Sequence, residues 1–321
     1  MQTDMDIPKQ YLKPRSVEEA LRMASGCISP FKFIAGGTDL MVHMKQGNES
    51  ANILIDISGL EELKQIALEP GGVLRIGSLA CLESIAQNAL VREHFPVLAE
   101  AIETVASPVL RKSATIGGNL LCENRCSFYD QSEWWRQAVG YCLKCNGDTC
   151  IATGGKKNCY SKFSSDLAVV LISLDARVTG TGELFSKGLP LENIYTGDGV
   201  HPRKVRDGIM LLSVELAVDR KFRSVYNKLR PRRSMDFSSL TSAVSIDAQG
   251  GINIVLGGVD PMPVVARGNI HQSDELAVRA YKRSRVVDND HYSRSYRKRM
   301  ISVFVKRSFE QLGIDQDAPQ S

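Results

Sequence analysis

The spacing of apolar and polar residues predicts alternating helices and strands over the first third of the chain. Residues 17–24 have helical spacing, and Ser16 with Glu19 has the spacing of a capping box at the start of that helix. An apolar strand then runs into a double-glycine turn within residues 31–40. Two further strands and a helical stretch broken at Pro96 are predicted within residues 53–58, 73–79 and 83–106.

The same alternation resumes later and then changes in character. Residues 164–178 are apolar, and their second half is strand-like. Beyond about residue 215, runs separated by turns predict strands within residues 221–247 and 252–266. The last predicted helix has one apolar face, formed by Ile301, Phe304, Val305, Phe309 and Leu312. These patterns predict a smaller C-terminal α+β domain that starts near residue 218.

Residues 122–163 interrupt this pattern and read as an insertion. The segment has little apolar periodicity, yet it holds six of the eight cysteines: Cys122, Cys126, Cys142, Cys145, Cys150 and Cys159. Long segments without regular structure are uncommon unless they are functional or held by something else. Thiolates are strong ligands for zinc and for iron–sulfur clusters, so metal ligation could replace the missing apolar core. A disulfide scaffold is the alternative.

Composition narrows these alternatives. The chain has 321 residues, 43% of them hydrophobic, and a formal net charge of +4. No export signal opens it, which favours a cytoplasmic protein with reduced thiols and hence metal over disulfides. The longest apolar run, residues 167–174, is too short to span a bilayer. Basic runs at 279–285 and 294–300 lack a stacking motif, so they predict a solvated helix face and no nucleic-acid partner.

Two glycine turns carry the second candidate chemistry. AGGTDL (35–40) and TIGGNL (115–120) each place paired glycines before a small polar residue. Glycines let backbone N–H groups converge on a phosphate oxygen, and Thr38 and Asn119 could add side-chain donors. Neither turn matches a Rossmann fingerprint or a P-loop. Local pattern alone leaves tight turns and a pyrophosphate cradle equally open.

Six blocks, taken in order, resemble one known family. They are AGGTDLM (35–41), ASPVLRKSATIGGNL (106–120), SSDLAVVL (164–171), LLSVEL (211–216), RRSMDFSSLTSAVSI (232–246) and LGGVDPMPVVA (256–266). Together with D-x-D-x-x-x-R-S-Y-R at 288–297, they resemble the FAD-binding medium subunit of the molybdenum hydroxylases, the xanthine dehydrogenase and carbon monoxide dehydrogenase family. The resemblance implies an α+β fold: a two-subdomain FAD-binding domain of the vanillyl-alcohol-oxidase (PCMH) type over 1–217, with an iron–sulfur insertion at about 122–163, and a smaller α+β domain over 218–321.

The resemblance also implies which residues hold FAD. The two glycine turns cradle the pyrophosphate, Asp166 binds the cofactor, Leu211 lies near the flavin, and Lys228 is a basic residue near its ring. The residues implied in the turns are Ala35, Gly36, Gly37, Thr38, Asp39, Leu40, Thr115, Gly117, Gly118 and Asn119.

The insertion is similar to that of one branch, 4-hydroxybenzoyl-CoA reductase, whose FAD subunit carries an additional [4Fe–4S] cluster. The ligand pattern of that branch, C-x15-C-x7-C-x8-C, is met by Cys126, Cys142, Cys150 and Cys159. This choice leaves Cys122 and Cys145 over and sets aside the C-x-x-C of Cys142 and Cys145. Structural zinc remains the alternative, although zinc ribbons usually have two C-x2-C pairs and zinc has no redox chemistry.

The function implied is electron transfer within a larger enzyme, with no catalytic residue on this chain. The implied partners are a large molybdopterin subunit and a small subunit with [2Fe–2S] clusters, in a dimer of heterotrimers, with ferredoxin or a similar protein as electron donor. An aryl-CoA would lose its phenolic hydroxyl at the molybdenum. The alternative is the same subunit in a hydroxylase of purines, aldehydes or N-heterocycles. A zinc-stabilised nucleotide-binding or scaffold protein without redox function is a third hypothesis.

Overall fold

The first part of the chain forms a parallel three-stranded sheet flanked by helices. The computed structural model describes residues 10–186, 188–232 and 234–314, so the ends of the predicted domains, 1–9 and 315–321, lie outside it. The sheet has the order β1-β3-β2. Its strands are β1 (Gln10–Leu12), β2 (Phe31–Ile34) and β3 (Ile53–Asp56), and its helices are α1 (Val17–Ser25) and α2 (Leu40–Lys45). Ser16 Oγ accepts from the Glu19 N–H at 3.2 Å, which confirms the predicted cap of α1.

The second sheet has five antiparallel strands in the order β4-β5-β8-β6-β7. Its strands are β4 (Ile66–Glu69), β5 (Val73–Gly77), β6 (Arg177–Gly180), β7 (Leu189–Pro190) and β8 (Leu211–Ala217). The helices between them are α3 (Leu82–Gln87), α4 (Ala89–His94), α5 (Pro96–Glu103), α6 (Pro108–Arg111), α7 (Ile116–Leu120), α8 (Glu133–Val139) and α9 (Asp166–Ser173). Every residue of α9 is buried, so this helix forms the centre of the largest apolar core.

The helical stretch predicted over residues 83–106 is three separate helices. Pro96 begins α5, as predicted, because proline fits the first turn of a helix, where its missing N–H is not needed. An additional break falls at Asn88, whose side-chain oxygen accepts from the N–H groups of Leu90 and Val91 and so caps α4.

The third sheet is antiparallel, with the order β12-β11-β10-β9. It consists of β9 (Phe222–Leu229), β10 (Leu240–Asp247), β11 (Gly251–Gly257) and β12 (Val264–Asn269), followed by α10 (Ser273–Arg283) and α11 (Arg294–Leu312). The five residues predicted for the apolar face of the last helix are all buried against this sheet. The opposite face of the sheet packs on α5 and α9, and Ser245 Oγ lies 2.8 Å from Ser173 Oγ. The sheet therefore shares a core with the part of the chain before residue 217.

The cysteine-rich segment, residues 122–163, contains one α-helix, α8, and is fixed mainly by polar contacts. The side chain of Arg136 is buried and donates to the backbone oxygens of Gln46, Tyr129 and Gln131. Asn124 donates to the carbonyls of Ser161 and Pro261, and Lys162 forms a buried ion pair with Asp290. The segment is thus held between the N-terminal layers and the C-terminal sheet.

No helix in residues 10–186, 188–232 and 234–314 is long and apolar enough to cross a membrane.

Candidate cofactor sites

A cavity of about 620 Å³ brings together all thirteen residues predicted to hold FAD. The three predicted groups come from separate parts of the fold: the loop between β2 and α2, the start of α7, and side chains on α9, β8 and β9. The cavity therefore lies where all three sheets meet. Its predicted lining residues are Ala35, Gly36, Gly37, Thr38, Asp39, Leu40, Thr115, Gly117, Gly118, Asn119, Asp166, Leu211 and Lys228.

The first glycine turn has the geometry of an anion cradle. Gly37 has φ of +67°, a conformation that favours glycine. A Cβ on Gly36 would lie 1.8 Å from the carbonyl oxygen of Ser113, so only glycine allows the turn to pack against that neighbouring segment. The N–H groups of Gly36, Gly37 and Thr38 donate to no acceptor in the part of the chain that the structure describes. These donors are available to a phosphate group.

The second glycine turn differs from this design, so the expectation of two matching turns is wrong. Thr115 caps a short helix, and its Oγ1 accepts from the Gly118 N–H at 3.1 Å. The N–H groups of Gly117 and Asn119 donate to the carbonyls of Ser78 and Thr115 at 2.8 and 2.9 Å. Because a threonine cap favours a helix start, the glycines are helical and their donors are already used. The side chain of Asn119 keeps a free amino group, since its oxygen accepts from Ser165 Oγ at 2.9 Å.

Asp166 and Lys228 form a buried ion pair inside the cavity. Lys228 Nζ lies 2.5 Å from Asp166 Oδ2 and also donates to the carbonyl of Thr104 at 3.0 Å. The second oxygen, Asp166 Oδ1, is buried and has no partner among the described residues. Buried polar atoms are normally hydrogen-bonded, so this oxygen fits the hydroxyl of a bound ligand.

The charged or titratable residues of this cavity that were not predicted include His43, Glu123, Arg125 and Arg203. His43 Nε2 is buried without a hydrogen-bond partner among the described residues and lies 3.6 Å from Asp39 Oδ1. Burial, reinforced by Arg125, lowers the pKa of His43, so the ring is neutral at neutral pH. Nothing in the sequence around a lone histidine on a short helix predicts that it will line this cavity.

A second, much smaller cavity of about 10 Å³ brings together the four predicted metal ligands, Cys126, Cys142, Cys150 and Cys159. All four are buried, whereas Cys122 and Cys145 are half-buried. Cys122 lines the FAD-sized cavity instead. All eight cysteines lie in the described residues as free thiols, which contradicts the disulfide alternative.

The donors of this small cavity fit an iron–sulfur cluster by type. No group of three or more His, Cys, Asp or Glu side chains in the described residues is placed to hold a single metal ion. A zinc ion would need four ligands at about 2.0–2.3 Å. A [4Fe–4S] cluster binds each thiolate to a different iron, so its sulfur ligands stand farther apart.

Three residue pairs separate the two cavities, and we call these six residues the shared wall. They are His43 with Tyr129, Glu123 with Lys144, and Arg125 with Asp130. The first member of each pair lines the large cavity. Tyr129 and Lys144 line the small one, and Asp130 accepts from the Cys126 N–H at 2.8 Å.

Glu123 is the most strongly held carboxylate of the shared wall. Lys144 Nζ lies 2.8 Å from its Oε2, and Arg203 binds its other oxygen. Its backbone N–H donates to Asp39 Oδ2 at 3.0 Å. Burial alone would raise the pKa of Glu123, but Arg203 and Lys144 outweigh burial and lower it to about 2. The residue is therefore ionised throughout the physiological range.

Comparison with known proteins places this geometry in a family. Residues 5–216 match the family model described as the FAD binding domain in molybdopterin dehydrogenase. The chain is 34% identical over 247 residues to the aldehyde oxidoreductase FAD-binding subunit PaoB of Escherichia coli K12, covering 72% of this chain and 76% of PaoB. It is 24% identical over 237 residues to the xanthine dehydrogenase FAD-binding subunit of Escherichia coli O157:H7, covering 73% and 68%.

A solved structure agrees in fold. Carbon monoxide dehydrogenase from Hydrogenophaga pseudoflava superposes with a TM-score of 0.72 at 20% identity, covering 95% of this chain and 97% of that chain. The chain belongs to the FAD-binding domain family of the molybdopterin dehydrogenases, as the FAD-binding medium subunit of a molybdenum-containing oxidoreductase. The predicted family and fold class are thereby confirmed.

Proposed function

We propose that this chain carries electrons within a molybdenum oxidoreductase, with FAD in the large cavity and a [4Fe–4S] cluster at the four buried cysteines. The observation that carries the proposal is the gathering of the predicted residues. Thirteen residues spread over nearly two hundred positions line one cavity, and four cysteines of the insertion line a second cavity across a shared wall.

The residues of the large cavity suit the parts of FAD. The free N–H groups of Gly36, Gly37 and Thr38 suit the pyrophosphate, and the side chain of Asn119 adds a donor. Asp166 Oδ1 suits a hydroxyl, while Leu211 gives the flavin an apolar surface. Lys228 pairs with Asp166 beside it. A bound flavin supplies the ability to exchange two electrons in single steps.

The small cavity suits a cluster because its donors are four thiols and its lining includes the cation of Lys144. Lys144 is buried, pairs with Glu123, and lies over the Tyr129 ring at 5.1 Å. A buried cation offsets the negative charge of thiolate ligands, and charge near a cluster is one of the factors that set its potential.

The proposed assembly contains a large molybdopterin subunit and a small [2Fe–2S] subunit in a dimer of heterotrimers. Ferredoxin or a similar one-electron protein exchanges electrons with the cluster. Support comes from the family and from relatives named as FAD-binding subunits.

The substrate of the complex is an aryl-CoA or, in the alternative, a purine, an aldehyde or an N-heterocycle, and two of these classes have specific support. The cysteine spacing supports reductive removal of the hydroxyl of an aryl-CoA, with electrons flowing from ferredoxin to molybdenum. The 34% identity to an aldehyde oxidoreductase subunit supports aldehyde oxidation, with electrons flowing outward. Assay of the whole complex with a 4-hydroxyaryl-CoA plus reduced ferredoxin, and with aromatic aldehydes plus an electron acceptor, separates these two.

Cofactor analysis of the purified full-length chain tests the proposal. We expect about one FAD, four irons and four sulfides per chain, and a flavin spectrum with a broad iron–sulfur shoulder. FAD without iron would remove the cluster from the proposal. Stoichiometric zinc without flavin would favour the zinc-stabilised alternative.

A further inference from the structure

The shared wall connects the cavities through continuous polar contacts as well as packing. On one side, Asp39 accepts from the Glu123 N–H at 3.0 Å and pairs with the Arg125 guanidinium. On the other side, Arg125 lies 3.4 Å from Asp130. Asp130 in turn accepts from the N–H of Cys126, a predicted ligand, at 2.8 Å.

Glu123 is the residue common to both sides. Its carboxylate binds Arg203, which lines the large cavity, and Lys144, which lines the small one. The side chain of Lys144 is 4% exposed and also donates to the Gly199 carbonyl at 2.8 Å, so Lys144 does not move independently of Glu123. Movement of the cysteine side is therefore transmitted to the side that faces the large cavity.

The lining of the small cavity also contacts residues of the large one. Tyr129 and Lys144 line the small cavity beside the four cysteines. The same lining forms the reverse side of the large cavity through the ring contact of Tyr129 with His43, whose centroids are 6.2 Å apart. One cofactor thus fixes atoms against which the other must pack.

We propose that Glu123 is a positioning residue that couples the two cavities, so that occupation of either one tightens binding in the other. The inference rests on the proposed function. The coupling is positive because binding of the first cofactor orders the shared wall. Binding of the second cofactor then costs less conformational entropy. The coupling is reciprocal, as linkage requires.

The test compares FAD affinity of the full-length chain in two forms, iron-loaded and iron-free, both kept anaerobic with reduced thiols. Flavin fluorescence gives the dissociation constant of each form. We expect FAD to bind roughly tenfold more tightly to the iron-loaded protein, within the usual range for coupled sites. In Glu123→Gln the ratio of the two constants should fall to about one, although both forms still bind FAD.

Two further variants make the test specific. Glu123→Gln leaves Lys144 and Arg203 without their carboxylate, so Lys144→Gln, which removes the cation on the cysteine side, is measured beside it. It should also bring the ratio to about one. Asp247→Asn removes a carboxylate that pairs with Arg220 at 3.0 Å at the end of β10, and neither residue lines either cavity. It should keep the wild-type ratio.

The outcomes separate the inference from the function on which it rests. A wild-type ratio of one or less overturns the coupling, and so does a tenfold ratio that survives in both Glu123→Gln and Lys144→Gln. Failure of the chain to take up iron overturns the cluster assignment and the coupling with it. Iron content, measured before FAD is added, tells the two failures apart.

Discussion

The two candidate sites are adjacent but are built in opposite ways. The large cavity, about 620 Å³, lies where three sheets meet, and its walls are attached to the apolar cores. The cysteine cavity, about 10 Å³, lies in a segment with a single α-helix that is held by polar contacts. The first site is a wide cavity between sheets, whereas the second is a narrow one within a single segment.

This difference separates two ways of making a cofactor site. A site between sheets is preformed, because burial of apolar surface elsewhere fixes its walls. A site in a segment with little apolar core depends on the metal for its own order, since ligation then contributes folding free energy. The large cavity should therefore tolerate loss of its cofactor better than the cysteine segment does.

The largest effect is expected at the first glycine turn. Gly37→Val should abolish FAD retention while leaving iron content unchanged. A branched side chain at φ of +67° strains the turn and blocks the approach of backbone donors to a phosphate. The measurement is FAD and iron per chain after gel filtration.

The control for this change is Gly71→Val. Gly71 has φ of +93° in the turn between β4 and β5, and nothing lies within 4 Å of its Cβ position. It shares the backbone strain but does not line the cavity, so FAD should stay bound. Normal FAD retention in Gly37→Val would contradict the cradle.

The next effect is expected at the buried ion pair of the large cavity. Asp166→Asn should weaken FAD binding roughly 10- to 150-fold, the cost of losing a hydrogen bond to a charged group. The change also leaves Lys228 unpaired, which lowers stability. The double variant Asp166→Asn with Lys228→Met separates these effects: the stability loss should shrink and the weak FAD binding should remain. Recovery of FAD affinity in the double variant would mean that Asp166 acts only through Lys228.

A pH effect is expected at the shared wall. The pKa of Glu123 is about 2 in the folded chain and about 4.3 in an unfolded chain, so ionised Glu123 stabilises the fold above about pH 5. Its contribution, roughly 2–3 kcal/mol, is lost as pH falls from 5 toward 2. Urea unfolding of the cofactor-free chain measures this loss.

Glu123→Gln should remove that part of the acid sensitivity, since glutamine does not titrate. Glu61→Gln is the matched control, because Glu61 pairs with Lys64 on an exposed surface with 79% of its side chain accessible. Its profile should equal that of the wild type. An unchanged acid profile in Glu123→Gln would mean that the carboxylate is not held as described.

A smaller effect is expected when iron is removed. Lys156 and Lys157 lie in an exposed turn between two of the predicted ligands, whereas exposed Lys221 lies between β8 and β9. Chelation should speed tryptic cleavage at Lys156 and Lys157 about tenfold, because metal ligation orders this segment. Cleavage at Lys221 should stay the same. If chelation leaves the cleavage rate at Lys156 and Lys157 unchanged, the cysteine segment is ordered without metal.

The sequence predicted most of the regular fold because those elements depend on local pattern. The β-branched strands and the apolar face of α11 are read directly from spacing. The break at Asn88 was missed because helical periodicity continues through it, and only the side-chain cap marks the boundary. The helix at Gly117 was missed because paired glycines suggest a turn, while the preceding Thr115 decides otherwise.

The cofactor residues were predicted from motif order, and the shared wall was not predicted at all. Its contacts join residues far apart in the chain: Glu123 and Arg125 reach Asp39 across 84 and 86 positions. No periodicity or spacing encodes such pairs, because they form only when the insertion is folded against the β2–α2 loop. Glu123 and Arg125 lie within five residues of the second glycine turn, and that proximity is a signal that points to them.

The most direct test of the account is a pair of variants three residues apart, Cys142→Ser and Cys145→Ser. Cys142 is buried and lines the small cavity, whereas Cys145 is half-buried and is absent from its lining. The measurement is iron, zinc and FAD per full-length chain. The account predicts that Cys142→Ser loses iron and keeps FAD, while Cys145→Ser keeps both. Loss of metal in both variants, or zinc in place of iron in the wild type, would contradict a cluster held by Cys126, Cys142, Cys150 and Cys159.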